Sequence, residues 1–240
     1  MNLSTCLAVL APFALLACVH VNPGGSGTHT TQPRAAGTFT RIDVRGPVDV
    51  VVHEGRPLAL SLTTQGVEPE RVETRVDGDT LVVDLHGELG GCIGICVESA
   101  RLDIDAPVLN GVKIEGSGDV TVLGAGSHAK VDLDVDGSGD VHYAGAADVL
   151  ACRVTGSGDV TLSGSGKRLR AEVTGSGDVD ARSFAAVGGE FLIEGSGDVT
   201  ADLHGGDTTI RMHGSGDLRY TGEARITSLD ISGSGDVGHM

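Results

Sequence analysis

The tetrapeptide Gly-Ser-Gly-Asp (GSGD) occurs seven times between Gly116 and Asp236. Successive copies are 21, 19, 19, 20, 19 and 19 residues apart. A fixed period near 20 residues, marked by glycines, indicates a solenoid in which each copy contributes one coil. The aspartates that close the seven copies are Asp119, Asp140, Asp159, Asp178, Asp198, Asp217 and Asp236.

Apolar residues flank each copy at fixed offsets. The positions seven and five residues before each Asp, and one after it, are apolar in all seven copies, as Ala171, Val173 and Val179 are around Asp178. This alternation predicts a strand on each side of a GSG turn, and glycines suit a turn that a Cβ atom would obstruct. We therefore predict an all-β fold, a parallel β-helix or β-solenoid with coils of about 20 residues, in which these positions form the core.

A weaker version of the pattern precedes the regular array. In "RIDVRGPVDVVV", Ile42, Val44 and Asp49 stand at the same relative offsets, so Asp49 is expected to be a degenerate earlier corner. In "VETRVDGDTLVVDL", apolar residues alternate on both sides of Asp77 and Gly78, which predicts a hairpin. Residues 37–111 are thus expected to form an irregular β-cap, and residues 112–240 the seven GSGD coils, within one domain.

The N-terminal segment is typical of an export signal. Residues 7–17 are apolar, too short a run to span a bilayer but suited to a secretory signal peptide over residues 1–17. Leu15-Leu16-Ala17-Cys18 resembles a bacterial lipobox, which would make Cys18 the lipidated N-terminus of a cell-envelope protein at the outer membrane or cell surface. Plain secretion, a periplasmic location and a cytosolic protein stay open. Residues 18–36, rich in Gly, Thr and Pro, predict a flexible tether.

Charge and motifs exclude several functions. The formal net charge is −16, which repels nucleic acid but leaves a cationic partner, a divalent ion or a neutral glycan open. The sequence has no phosphate-binding loop, nucleophile elbow or paired metal-binding histidines, so no catalytic residue, cofactor or metal is predicted. The nine histidines are scattered, and we expect all of them at the surface.

The chain resembles the GIN-domain family, described as putative autotransporter-adhesin head domains of bacterial cell-envelope proteins. The resemblance rests on "FTRIDVRGPVDVVVHEG", "VDGDTLVVDL", "LDIDAPVLNGVKIEGSGDV" and the later GSGDV copies, and it runs from about Phe39 to the end of the sequence. It implies an exported, often lipid-anchored β-solenoid and brings no catalytic residues. The chain ends four residues after Asp236, which leaves no room in this sequence for a translocating β-barrel.

Three cysteines lie beyond Cys18. Cys92 and Cys96 sit in the glycine-rich "GELGGCIGICVES". An oxidising envelope favours a disulfide between them, with two free thiols or a metal site as alternatives. Cys152 occupies an inward position of the repeat and is expected to be a small buried residue.

The ladder of corner aspartates has three interpretations. Each carboxylate is expected to accept hydrogen bonds from N–H groups of its own turn. A Ca²⁺-binding solenoid and a recognition stripe for a cationic partner are the alternatives. For the whole protein we expect a non-catalytic, adhesin-like binding or structural module for an envelope glycan or surface protein, with the membrane reached only through the lipid anchor. A carbohydrate-active β-helix enzyme is the alternative.

Overall fold

The computed structural model describes residues 29–86 and 98–240, and within these ranges the chain is almost entirely β-structure. Fifteen strands join one sheet that winds into a parallel solenoid, which confirms the predicted fold. The only helical turn in these ranges is a short 3-10 turn at Pro69–Arg71, and no helix in them is long and apolar enough to cross a membrane. The strands are β1 (His29–Arg34), β2 (Arg41–Arg45), β3 (Asp49–Glu54), β4 (Ala59–Gln65), β5 (Val72–Asp77), β6 (Thr80–Leu85), β7 (Ser99–Ala106), β8 (Gly111–Gly116), β9 (Val120–Gly137), β10 (Val141–Gly156), β11 (Val160–Gly175), β12 (Val179–Gly195), β13 (Val199–Gly214), β14 (Leu218–Gly233) and β15 (Val237–His239).

Each regular coil is one long, bent strand rather than two strands joined by a turn. From β9 to β14 the strand begins one residue after a corner Asp and ends at the first glycine of the next GSGD copy. Neighbouring coils pair in parallel and in register, so that Val154 lies opposite both Val135 and Val173. Hydrogen bonds to both neighbours hold most of the coil extended, and the main break falls at the Ser-Gly-Asp corner.

The repeated apolar positions form the core, as predicted, in six of the seven copies. Val154 and Val173 are completely buried, and the large side chains of Phe184 and Phe191 fill the space where flanking residues are small. The last copy differs from the prediction. Leu229 is 53% exposed and Ile231 39% exposed, because no further coil stacks on β14.

The N-terminal cap contains the predicted corner and hairpin, but its coils stack in an order that was not predicted. The corner at Asp49 stacks on the first GSGD corner, and β5 and β6 form the expected hairpin across Gly78. The β2–β3 coil, however, lies between the β6–β7 coil and the β8–β9 coil. After β3 the chain forms β4 and β5 at the end of the stack. It then forms β6, which pairs with both β5 and β2, and β7, which pairs with β3, so that β6 and β7 make the coil beneath the β2–β3 coil.

The prediction of a flexible tether is wrong for its last part. Residues 29–34 form β1, which pairs antiparallel with β4, and the hydroxyl oxygens of Thr31 and Thr63 lie 3.0 Å apart. The outer edge of β4 presents unpaired backbone groups, and a Thr-rich segment is suited to pairing with them. Pro33 is tolerated because β1 is an edge strand. Residues 1–28, with the predicted signal peptide, Cys18 and most of the tether, lie outside the described ranges.

Candidate binding face

The corner aspartates form a continuous hydrogen-bonded ladder. The Oδ1 atom of each corner Asp accepts the backbone N–H of the Asp one coil further on, from Asp49, which binds the N–H of Asp119, to Asp217, which binds that of Asp236. The seven N···O distances lie between 2.7 and 3.2 Å. We expected each carboxylate to bond within its own turn, which is wrong for these aspartates. Since the corners stack in register, the N–H group within reach belongs to the next coil.

The last corner aspartate, Asp236, bonds differently because no further corner stacks on it. Its Oδ1 atom accepts a hydrogen bond from the backbone N–H of the next residue, Val237, at 2.9 Å. The ladder therefore depends on stacking, and a carboxylate bonds locally where stacking ends. Among the residues that the structure describes, no group of three or more His, Cys, Asp or Glu has the geometry of a metal site.

The two glycines of each corner are both needed for close stacking, and the first also has a positive φ: a Cβ atom on Gly175 would stand 2.3 Å from the carbonyl oxygen of Gly156. Gly175, the first glycine of its copy, has φ of +132°, which residues with a side chain rarely adopt. Gly177, the second, lies so close to the previous corner that a Cβ atom would stand 2.1 Å from the carbonyl oxygen of Gly158. The corner is thus a backbone-to-backbone contact, which makes the GSGD ladder a structural spine rather than an open site.

A second surface has the shape of a site. On the half of each coil that precedes the corner, the residues six and eight positions before the corner Asp point outward and stack in two columns. We call these two columns the charged face. In the five middle coils, the first column comprises Asp132, Ala151, Arg170, Glu190 and Thr209, and the second Asp134, Arg153, Glu172, Leu192 and Arg211. The same offsets place Lys113 before Asp134 and Asp230 after Arg211 in the second column. A groove of about 520 Å³ runs along this face, with Arg41 and Lys130 at its end.

Ion pairs between coils order the side chains of the charged face. Arg153 contacts Glu172 at 3.0 Å, and Arg170 contacts Glu190 at 3.2 Å, in each case across one coil step. All four groups are at least one-third exposed, so these pairs contribute little to stability. Their effect is to hold the long side chains along the columns, whereas small residues such as Ala151 leave room between them.

One cation of the face has no such partner. Arg211 is exposed and makes no ion pair or side-chain hydrogen bond with the residues that the structure describes. The groove is lined by five basic and four acidic side chains, whereas the whole chain has 17 basic and 33 acidic residues. The groove is therefore close to neutral, with an excess of one basic residue, on a strongly acidic protein, a contrast that the overall charge did not reveal.

The charged face continues toward the cap through a third ion pair. Lys113 forms a hydrogen bond to Glu115, which holds the pKa of that carboxyl group below its ordinary value and raises the pKa of the lysine. Both groups stay charged across the physiological range, so the face keeps its mixed charge.

A buried acid–histidine contact was missed by the sequence analysis. His128 and Glu54 are both buried, and Nε2 of His128 lies 2.7 Å from Oε1 of Glu54. The backbone N–H of Leu109 donates to the same oxygen at 2.9 Å. Burial and the nearby negative charge of Glu54 raise the pKa of Tyr143 to about 12. The expectation that every histidine lies at the surface is wrong for His128, which is enclosed where β9 lies against β3.

The three later cysteines divide between the described and undescribed ranges. Cys92 and Cys96 lie outside the described residues, and their disulfide stays a prediction. Cys152 is buried, as expected, and burial raises the pKa of its thiol to about 12. A thiol so rarely ionised is a packing residue.

The fold and the corner ladder define a parallel β-solenoid whose regular coils each end in a GSGD corner. The chain belongs to the family described as "Putative auto-transporter adhesin, head GIN domain", whose model matches residues 38–224. Membership makes it an adhesin-like protein of the cell surface or envelope, in agreement with the sequence resemblance. No curated protein is significantly similar to the chain in sequence.

Solved structures from Bacteroides and Parabacteroides species share the fold. A putative adhesin from Bacteroides fragilis has a TM-score of 0.76 and 22% identity over 88% of this chain and 97% of its own. A putative adhesin from Parabacteroides distasonis has a TM-score of 0.68 and 20% identity, over 90% and 98% of the two chains. A protein from the same organism described as a putative lipid binding protein has a TM-score of 0.67 and 20% identity, over 88% and 96%.

Proposed function

We propose that this protein is an exported, lipid-anchored and non-catalytic binding module of the cell envelope, and that the charged face is its contact surface. The family supports an adhesin-like role at the envelope. The observation that carries the proposal is the groove of about 520 Å³ on the charged face, which crosses several coils and is lined by ordered, oppositely charged side chains.

The chemistry of the groove favours a glycan as its ligand. Parallel strands are about 4.8 Å apart, so each coil offers the same kind of polar contact at a short, regular interval to an extended chain. Arginine and carboxylate side chains donate to and accept from hydroxyl groups, and the excess of one basic residue accommodates a neutral or acidic sugar. A surface protein of the envelope is the second candidate ligand, because its exposed polar residues could bond to the same arginine and carboxylate side chains.

A non-catalytic role agrees with how two of the four carboxylates of the groove are held. Glycoside hydrolysis needs a pair of carboxyl groups, one of which is protonated as the acid. In the groove, Glu172 and Glu190 are each paired with an arginine, which favours the charged form.

A binding screen tests this function. The full chain is applied to immobilised envelope glycans and to whole-envelope fractions, and products of glycan cleavage are measured in the same samples. We expect saturable binding without cleavage, and a large loss of binding in Arg211→Ala. Lys167→Ala is the matched control, because Lys167 is an exposed cation on another face, paired with Asp148 at 2.8 Å. Cleavage of a glycan, or equal binding by both variants, would contradict the proposal.

A further inference from the structure

Among the described residues, the last coil of the solenoid, β14, leaves most of one strand edge unpaired, and we call this the open end. One edge of β14 pairs with β13 along its length, whereas the other edge pairs only at Leu218–Tyr220, with the short β15. The edge from Thr221 to Gly233 has no backbone partner among the described residues. An exposed strand edge of this length is a template for pairing with another chain.

The open edge also exposes side chains that are core residues elsewhere. Ile226, Leu229 and Ile231 are 38%, 53% and 39% exposed. Their neighbours one coil earlier are Thr208, Ile210 and Met212, which are at most 2% exposed. Since the two sets differ only in whether another coil lies above them, the apolar surface of β14 has the shape and chemistry of an interface between coils.

The opposite end of the stack is already covered. There β1 and β4 pair antiparallel, and β5 pairs antiparallel with β6, so the terminal strands do not present the parallel coil edge that β14 would need. Repeated head-to-tail stacking of copies is therefore disfavoured, and a tail-to-tail arrangement is the one in which two identical coil edges meet.

Charge permits two copies to approach at this end. The protein carries a formal net charge of −16, so most surfaces of two copies repel each other. Strand β14 has two arginines, Arg219 and Arg225, and two acids, Glu223 and Asp230, which sum to zero. Strand β14 itself thus carries no net charge, and its two arginines are paired with Asp217 and Asp207, which lie just outside the strand.

The strand is complementary to itself in one antiparallel register. If Ile226 lies opposite Leu229 of a second copy, then Ala224 lies opposite Ile231 and Arg225 opposite Asp230, and two-fold symmetry repeats each pair. The register works because the pairing of β13 with β14 shifts by one residue at Thr227. Inward positions are even-numbered before this bulge and odd-numbered after it, so apolar residues face apolar residues and charges face opposite charges.

We propose that two copies of this chain form a closed, two-fold dimer through the open end, by antiparallel pairing of β14 with β14. The dimer would bury the exposed apolar residues and remove the free edge from Thr221 to Gly233, and it would leave the charged face accessible along both halves. In this register the second copy's residues after Gly233 reach Tyr220 and Leu218, so β15, with the His239 side chain on the carbonyl oxygen of Gly222, is displaced from that edge. The proposal goes beyond the binding function and does not depend on it.

The oligomeric state in solution tests the dimer. The full chain is purified, in mild detergent where it partitions with membranes, and its protein mass is measured by light scattering and sedimentation over a wide concentration range. We expect twice the monomer mass for the wild type. We expect the monomer mass, with an unchanged β-sheet circular dichroism spectrum, for the double variant Leu229→Asp with Ile231→Asp. The matched control is Val187→Asp, since Val187 is 48% exposed within the stack, and it should remain dimeric.

A charge variant tests the register. Asp230→Arg places two arginines opposite each other at each of the two charge pairs, so we expect the dimer to weaken by about tenfold or more. A monomeric wild type, open-ended oligomers, or a dimer that survives both the double variant and Asp230→Arg would overturn the proposal.

Discussion

The Oδ1 atom of Asp178 accepts the backbone N–H of Asp198, one coil away, at 2.7 Å. Carboxylates stacked at the coil spacing repel by about 1 kcal/mol in water. A hydrogen bond to a charged group contributes about 1.5–3 kcal/mol, which is comparable with the repulsion from the carboxylates on either side and can offset it.

Two substitutions of Asp178 separate the hydrogen bond from the charge. Asp178→Ala removes the acceptor and should lower the free energy of unfolding by about 1 kcal/mol, whereas Asp178→Asn keeps an acceptor and should be close to the wild type. Urea denaturation measures both. Asp136→Ala, at an exposed acid outside the ladder, is the control. Equal destabilisation by Ala and Asn would show that the negative charge itself is needed, as in a cation site.

Acid should weaken one specific ion pair. Hydrogen bonds from Arg182 lower the pKa of Asp180 from 3.8 to about 2 in the folded protein. A carboxyl group with a lowered folded pKa stabilises the protein above its unfolded pKa, and this contribution is lost as the pH falls through the folded value. The wild type should therefore exceed Asp180→Asn in stability at neutral pH, and the difference should shrink between pH 3.8 and 2. A difference that is independent of pH would contradict this account.

The second glycine of a corner should be intolerant of any side chain. Gly177→Ala places a methyl group 2.1 Å from a backbone oxygen of the preceding corner, and we expect a loss of about 2 kcal/mol or more in unfolding free energy. Gly37→Ala is the matched control, because its Cβ atom would have no neighbour within 4 Å. Similar stability of the two variants would show that the corners do not stack this tightly.

The lipid anchor has a simple genetic test. Cys18→Ser removes the acceptor thiol, so the protein should move from the membrane fraction to the soluble fraction and lose the mass of the lipid. Cys6→Ser, within the predicted signal peptide, should leave the distribution unchanged. Unaltered membrane association and processing of Cys18→Ser would rule out lipidation at this residue.

The regular part of the fold could be predicted because each coil repeats the same local rule. The period of the GSGD copies and the apolar positions around Val154 and Val173 are sufficient to place strands, corners and core. The order of the cap could not be predicted in this way. Nothing local in β6 indicates that it pairs with β2 on one side and β5 on the other, since that choice depends on long-range packing.

The ladder, the His128–Glu54 contact and the groove were harder to predict from the sequence, for physical reasons that differ between residues. The ladder partner of Asp178 belongs to another coil, so no analysis of its own turn could identify it. His128 has polar neighbours in the sequence, and only the pairing of β9 with β3 brings it against Glu54, 74 residues earlier. The groove arises from columns such as Arg170 and Glu190, whose members are 20 residues apart and become neighbours only after stacking.

The central claim is that the charged face, and not the aspartate ladder, contacts the envelope. Binding to whole-envelope fractions should be compared for two double variants, Arg170→Glu with Arg211→Glu on the face and Asp159→Asn with Asp178→Asn on the ladder. We predict that the face variant loses binding by about tenfold or more, because it reverses two charges in the groove, while the ladder variant binds as the wild type does. Retained binding by the face variant together with lost binding by a folded ladder variant would contradict the claim and make the corner aspartates the binding site.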